Sequence, residues 1–453
     1  MPEKYKDILF LAAVSSFLIF YKLGEKSLTT WDEILYAQMA KEMFRGGDWL
    51  TPTLNGMLRF EKPPLCTGVT AFFYSLFGIS EFSARLFSAL SGMATVLVTY
   101  LFSRKMFSRA NALCASLVLL SSLHFFNHAK LGMMDVPVTF FITISLFFFY
   151  LGFERQGYYL IMGFSASCAL LTKGIAGGVI FFVIGLILLF SKRWSVLKNK
   201  YFILGIFISV SLPAIWLLYE YARFGEILIS SFFGENISRI GQALDSHQGT
   251  WFSYINTVFY KGKLWGGIAL LLGGYLLVRE FFSKEKDFRF IFLLSWVFTI
   301  LIIFSAAKTK LHWYIMPIYP PLFMLFAAGC RHIFKKERWL YALPVLSLIF
   351  LGYYQVSHPN KFNSNSNALA KHAALHFKTL KQSGDKLFIV GPLEHQVFLF
   401  YADAIAEHET PLKKTEPPSG WVIGYQDKDF LKKYVEEKYQ LVDETEGVQF
   451  FYR

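Results

Sequence analysis

The chain is short of charge. Only 17% of its 453 residues are Asp, Glu, Lys or Arg, where about 25% is usual for soluble domains. A soluble chain with 54% hydrophobic residues, among them 50 phenylalanines, could not cover its own surface with polar groups. Cysteine is scarce as well. Cys66, Cys114, Cys168 and Cys330 each lie in or beside an apolar stretch, and none pairs as CxxC. That argues against a disulfide scaffold and reads as buried apolar thiols. Internal repeats and low-complexity segments are also lacking. The net charge of +13 is not gathered on one soluble face, as in a nucleic-acid binder, but falls in short segments between apolar runs.

Apolar runs are what the chain has in quantity. Candidate membrane spans occupy 7–21, 83–103, 110–126, 136–152, 158–171, 175–190, 201–221, 264–279, 289–305, 314–330 and 339–356. That makes about eleven, most of them near the ~20 residues a helix needs to cross the hydrocarbon. The N-terminal MPEKYKDILF begins with charge and shows no small-residue cleavage site, so a retained first span is expected. The two runs beside Thr172-Lys173-Gly174 are short, and 64–78 is apolar but broken, as an interfacial segment would be.

Loop charge predicts orientation. With Lys4 and Lys6 cytoplasmic, every short basic connector falls on that same side: Arg104 to Arg109, Arg155, Lys192 to Lys200, Arg279 to Arg289, and Arg331 to Arg338. The other side receives long loops at 22–82 and 222–263, short ones at 127–135, 172–174 and 306–313, and the tail. The expected architecture is a polytopic α-helical membrane protein. Residues 1–357 form the transmembrane part, and 358–453 form a small extracytoplasmic α/β domain. In the tail, 366–381 reads as a helix. Segments 385–392, 420–425 and 440–453 read as strands, the last a hairpin across Glu444–Gly447.

The outer loops hold the candidate chemistry. Asp32 and Glu33 precede a helix-like run, where acids also serve as ordinary N-terminal caps. Glu61-Lys62-Pro63-Pro64 is a rigid turn that either presents an acid and a base together or is a plain surface turn. Asp135 lies at the lip of a span, as a working acid or as a cap. Lys173 sits between two apolar helices, which a solvated loop does not explain. Lys308 and Lys310 break the charge rule, either as anion ligands or as residues snorkelling at the interface. His247 alone reads as a solvated loop residue; beside Glu61 it would suit Zn²⁺ or a similar divalent ion.

These segments together resemble the membrane glycosyltransferases of the GT-C type. Within them the chain is most similar to the bacterial branch containing the 4-amino-4-deoxy-arabinose transferase of lipid A, with protein O-mannosyltransferases as more distant relatives. The resemblance covers about 28–330. It rests on Trp31-Asp32-Glu33 through Tyr36, Gly47-Asp48-Trp49, Phe60-Glu61-Lys62-Pro63-Pro64, Glu81-Phe82 with Arg85, Met134-Asp135-Val136-Pro137, Leu171-Thr172-Lys173-Gly174, and Lys308-Thr309-Lys310 through Tyr314 to Pro320-Pro321. It implies Asp32 at the catalytic centre and Asp135 as a second active-site acid. It also implies Glu61 and His247 as ligands of a divalent metal, zinc being expected, and Lys62 on the carrier phosphate. Glu33, Tyr36, Arg59, Lys173, Lys308, Lys310 and Tyr314 complete the expected substrate contacts. Two departures stand in the sugar or phosphate region: Leu35 replaces the usual arginine, and Arg59 an aromatic residue. The tail is also shorter, with fewer spans after 330 than in the nearest members of that branch.

The expected reaction is an inverting transfer of a sugar from a polyprenyl-phosphate carrier to a glycolipid such as lipid A or its phosphates, at the periplasmic face of the inner membrane. A protein O-glycosyltransferase is one alternative. A lipid or glycan transporter is another, but acids at the outer rim and the lack of a repeat disfavour it.

Overall fold

Each long apolar run is helical, because hydrocarbon leaves a backbone no partner but itself. A computed structural model gives the structure, and describes residues 2–29, 32–234, 238, 249–334, 338–357, 368–382, 385–390, 395–404, 406–408, 419–425, 431, 435–436 and 438–453. The helices are α1 Glu3–Phe20, α2 Asp32–Gly46, α3 Leu65–Phe77, α4 Glu81–Met106, α5 Arg109–Ser121, α6 Leu123–Ala129, α7 Asp135–Gly152, α8 Tyr158–Lys173, α9 Val179–Ser191 and α10 Lys200–Phe224. They continue as α11 Glu226–Ile229, α12 Ser253–Lys261, α13 Lys263–Phe282, α14 Phe288–Ala306, α15 Tyr319–Ile333 and α16 Arg338–Ser357. A two-stranded ribbon, β1 Thr53–Leu54 and β2 Met57–Leu58, lies between α2 and α3.

Among the described residues, seven helical stretches are long and apolar enough to cross a membrane, or eight if a bent pair counts as one span. The bent pair is α5 with α6, turned by 67° where one straight span over 110–126 was expected. Extended backbone at Ser122 (φ −68°, ψ 111°) interrupts the helix there. Residues 158–191 count as a single 34-residue stretch by length, which would run about 51 Å as one straight helix. The chain folds back instead. Lys173 meets Asp135 at the start of α7, whereas Arg193 lies over the rings of Phe153, just past the end of α7, and Phe288. Gly174 makes the turn with φ 54°, a conformation that costs most other residues energy. Helices α8 and α10 then pack with little space between them. A Cβ on Gly163 would fall 2.0 Å from the carbonyl oxygen of Gly205, so small residues set this approach.

The basic connectors gather at one end of the bundle. Arg109 pairs with Asp7 and Glu3, Lys105 with Glu154, and Arg289 donates to the carbonyl of Met106. The opposite end carries α2, α3, the ribbon and the loops, locked by one buried ion pair. Arg85, in the first turns of α4, donates to both oxygens of Glu33 (2.8 and 3.2 Å) and to the carbonyls of Leu23, Lys26 and Ser27. Glu33 also accepts from the N–H groups of Thr29 and Gly132 (2.6 and 2.8 Å). The segment 23–29 and the turn at Gly132 are thereby fixed to the start of α2.

The tail forms α17 Ala368–Leu380, β3 Leu387–Val390, α18 His395–Ala402, β4 Ala406–His408, β5 Trp421–Gly424, β6 Gln440–Thr445 and β7 Val448–Tyr452. The sheet runs β4-β3-β5-β7-β6, with β3 parallel to β4 and β5, and β7 antiparallel to β5 and β6. This layer seats on α2. Ile34, Ala37, Ala40 and Met43 share one apolar cluster with Ala374, Phe377, Val397 and Tyr401. Lys41 and Arg45 pair with Asp403, Lys371 pairs with Glu81, and Tyr401 accepts from the Leu28 N–H. The tail therefore lies at the same end as the loops.

This seat titrates. Burial raises the Asp403 carboxyl, but Arg45 and Lys41 outweigh it and hold the pKa at about 2. Burial also pulls the Lys41 ammonium down, so the pair is worth less than the Asp403 shift alone suggests. A depressed carboxylate stabilises the seat fully above its ordinary pKa near 3.8, and that contribution disappears as pH falls toward 2. Asp403→Asn should cost on the order of 1 kcal/mol at neutral pH after solvent screening, and nothing near pH 2. Proteolytic nicking of the tail, measured against pH for both proteins, checks this: the two curves should differ at pH 7 and converge in acid.

Candidate active site

Asp32 and Glu33 open α2 side by side. Successive helical residues point about 100° apart, so the two carboxylates cannot serve one place. Glu33 is turned inward to Arg85 and is buried with both oxygens hydrogen-bonded. The structure thus places Glu33, expected among the substrate contacts, in an ion pair with Arg85, with both carboxylate oxygens engaged by protein groups. Asp32 is half-buried, one turn from Tyr36, and the Tyr36 hydroxyl feels Asp32, Asp135, Tyr314 and Glu61. Burial first, and then these charges, raise the phenol well above its ordinary pKa. Tyr36 is thus a protonated hydroxyl set among three acids from three parts of the chain.

The other side of this chamber is cationic. Lys173, brought in by the hairpin turn, is buried against Asp135, with its ammonium 4.7 Å from the centre of the Tyr314 ring. Lys62, also buried, lies at the turn leading through Pro63 and Pro64 into α3, and its charge reaches Asp135. Arg59 pairs with Glu61 at 2.7 Å. The Phe60 between them is buried with Trp216, Leu228 and Phe232, which anchors the 59–62 turn to α10 and α11.

A cavity of about 400 Å³ runs from Lys62, Asp135, Lys173 and Tyr314 into an apolar slot between α7, α9 and α14. Val138, Val179 and Phe304 line the slot, and Phe182 and Ile302, exposed by 64% and 54%, stand at its outer side. Such a space takes a ligand with an anionic head and a long apolar tail.

Not every expected residue joins it. Thr309 lines the cavity, while Lys308 is exposed and Lys310 turns back to the carbonyls of Ser305 and Ala307 at the end of α14. A lysine there answers the helix C-terminus, which is the ordinary reason for one. His247 lies outside the described residues. Arg85 was legible only as part of a motif. Its task needed Glu33 and three loop carbonyls, which spacing does not reveal.

A sequence model of the family described as dolichyl-phosphate-mannose-protein mannosyltransferase matches residues 61–220. An "Uncharacterized protein" of Aquifex aeolicus is 35% identical over 344 residues, 74% of this chain and 65% of that one. The undecaprenyl phosphate-alpha-4-amino-4-deoxy-L-arabinose arabinosyl transferase of Aeromonas hydrophila is 30% identical over 377 residues, 78% of this chain and 68% of that one. The chain thus spans about two thirds of the length of these two curated relatives. The crystal structure of ArnT from Cupriavidus metallidurans bound to undecaprenyl phosphate superposes with a TM-score of 0.80 at 19% identity, over 98% of this chain and 97% of that one.

The bundle has the fold of that solved structure, and with these relatives the chain falls in the class of polytopic GT-C membrane glycosyltransferases. Within that class the chain belongs to the family of the undecaprenyl phosphate-alpha-4-amino-4-deoxy-L-arabinose arabinosyl transferases.

Proposed function

We propose that the chain transfers a sugar from a polyprenyl-phosphate carrier to lipid A or a related glycolipid, in the inner membrane with its chamber on the periplasmic side. The observation that carries this reading is the cavity whose buried head holds Lys62, Lys173 and Asp135 and whose apolar body opens beside Phe182 and Ile302. An isoprenoid phosphate has that shape and charge. The family supports the same donor, and the solved ArnT holds undecaprenyl phosphate.

The reaction is an inverting displacement. The bond from the anomeric carbon to the carrier phosphate breaks, its electron pair leaves with the phosphate, and an acceptor oxygen bonds to the opposite face of that carbon. Lys62 and Lys173 stabilise the charge growing on the leaving phosphate. Asp135 holds Lys173 in place, and Tyr36 donates a hydrogen bond into the acidic chamber. Asp32 takes the acceptor proton when the acceptor is a hydroxyl. When the acceptor is an ionised phosphate, Asp32 stabilises positive charge on the sugar instead. Tyr314 and Arg59 set the walls. Glu61 supplies an oxygen donor at this chamber, which suits a divalent ion such as zinc held together with His247. Such an ion would add positive charge beside the phosphate.

Eleven spans suit this reading: the two arms of the 158–191 hairpin counted separately, the bent pair, α1 and α16 bring the number there. The basic end then faces the cytoplasm, and the 358–453 domain is extracytoplasmic beside the chamber.

Lys62→Met should raise the KM for the polyprenyl-phosphate sugar by roughly 10-fold or more, the cost of a lost charge-assisted contact, and should leave folding near normal. Transfer assays on the purified variant decide it. An unchanged KM removes Lys62 from the carrier phosphate.

A further inference from the structure

Behind the chamber lies a cluster that this reading does not use. His124 and His128 stand one turn apart on α6, and His312 comes from the 3₁₀ turn His312–Ile318, nearly two hundred residues later. One nitrogen from each lies within 4.8 Å of the others. We propose that these three imidazoles bind a borderline divalent ion, Zn²⁺ by preference, at a site separate from Glu61.

The geometry supports the donor set nitrogen by nitrogen. His128 donates Nδ1–H to the carbonyl of His124 at 2.8 Å, which leaves Nε2 as the nitrogen with a lone pair. His124 places Nδ1 at 2.7 Å from the Tyr319 hydroxyl, and its Nε2 lies 3.0 Å from Nδ1 of His312. Histidines that hold a metal commonly spend their second nitrogen on a carbonyl or another fixed oxygen, and two of these three do. Zinc–nitrogen bonds of about 2.0–2.1 Å in a tetrahedron set nitrogens roughly 3.3 Å apart. The His124–His312 spacing of 3.0 Å is already close to that, and His128, whose nitrogen lies within 4.8 Å of the others, completes the set by moving inward. Three neutral imidazoles without a carboxylate suit zinc, cobalt, nickel or copper, and disfavour magnesium and calcium.

The site also has a structural purpose. Helix α6 leads through 130–134 directly to Asp135, and the turn that carries His312 also carries Tyr314. An ion on the three histidines ties these two chamber walls together, so it acts as a positioning clamp and touches no substrate. The 67° break at Ser122 is what turns α6 so that both of its histidines face the 312–318 turn.

Cobalt(II) is the probe. Full-length protein in detergent, stripped with chelator, should take up about one Co²⁺ at this site with the visible bands of a tetrahedral ion. His128→Asn should lose the bands, and Glu61→Gln should keep them. Tyr319→Phe should weaken binding by roughly 10- to 100-fold, as removal of an outer hydrogen-bond partner does. His312→Cys guards against misfolding as an explanation: it should still bind and add a thiolate-to-cobalt charge-transfer band in the near ultraviolet. Stripped wild-type protein without tetrahedral bands, bands unchanged in His128→Asn, or no thiolate band in His312→Cys would each overturn the site. The three histidines would then be a hydrogen-bonded chain ending on Tyr319.

Discussion

Asp32→Asn is expected to lower sugar transfer by roughly 10² or more, while protein level and donor binding stay close to normal. The change is nearly isosteric, and Asp32 is only half-buried at the start of α2, so little stability depends on it. What is lost is the charge next to Tyr36, where Asp32, Glu61 and Asp135 converge. Transfer rates of the purified variant, measured with a polyprenyl-phosphate sugar, decide the matter. Near-normal turnover would return Asp32 to the role of a helix cap.

Arg85→Leu is expected to act on folding instead, costing about 3–5 kcal/mol, because it strands a buried carboxylate without its partner. Glu33 lies within the bundle end and has its charge met by Arg85 and by two backbone N–H groups. Burial raises its carboxyl pKa, and Arg85 more than reverses that, holding it below the usual range. The stability this contributes is present above the ordinary carboxylate pKa and is lost as pH falls through the depressed one. In the double variant Arg85→Leu with Glu33→Leu, the stranded charge is gone, and much of the loss should return. Thermal unfolding in detergent at neutral pH compares the three proteins. A single variant as stable as wild type would show that the pair does not hold the loops.

The membrane class and the gathering of the basic connectors at one end of the bundle were legible because hydropathy and loop charge act one segment at a time. The basic connectors of the sequence are the basic end of the bundle. The strands of the tail were legible as well, from short apolar runs such as 387–390 and 421–424. What escaped depends on contacts between distant segments. The bend at Ser122 replaces a seemingly continuous apolar run, and only packing tells the two apart. The short strand β4 and helix α18 carry no periodicity long enough to read. The neighbouring acids at 32 and 33 look alike in sequence, and only Arg85, 52 positions beyond Glu33, separates them. Likewise, His124 and His128 show a readable spacing, but their third partner is 184 positions beyond His128.

The most direct test of the central claim is mass spectrometry of lipid A from the native host, with the chain deleted and then restored as wild type or as Asp32→Asn. The account predicts that one sugar-sized mass increment on lipid A disappears on deletion, returns with the wild-type chain, and stays absent with Asp32→Asn. A lipid A spectrum identical with and without the chain, or an increment restored in full by Asp32→Asn, would contradict it.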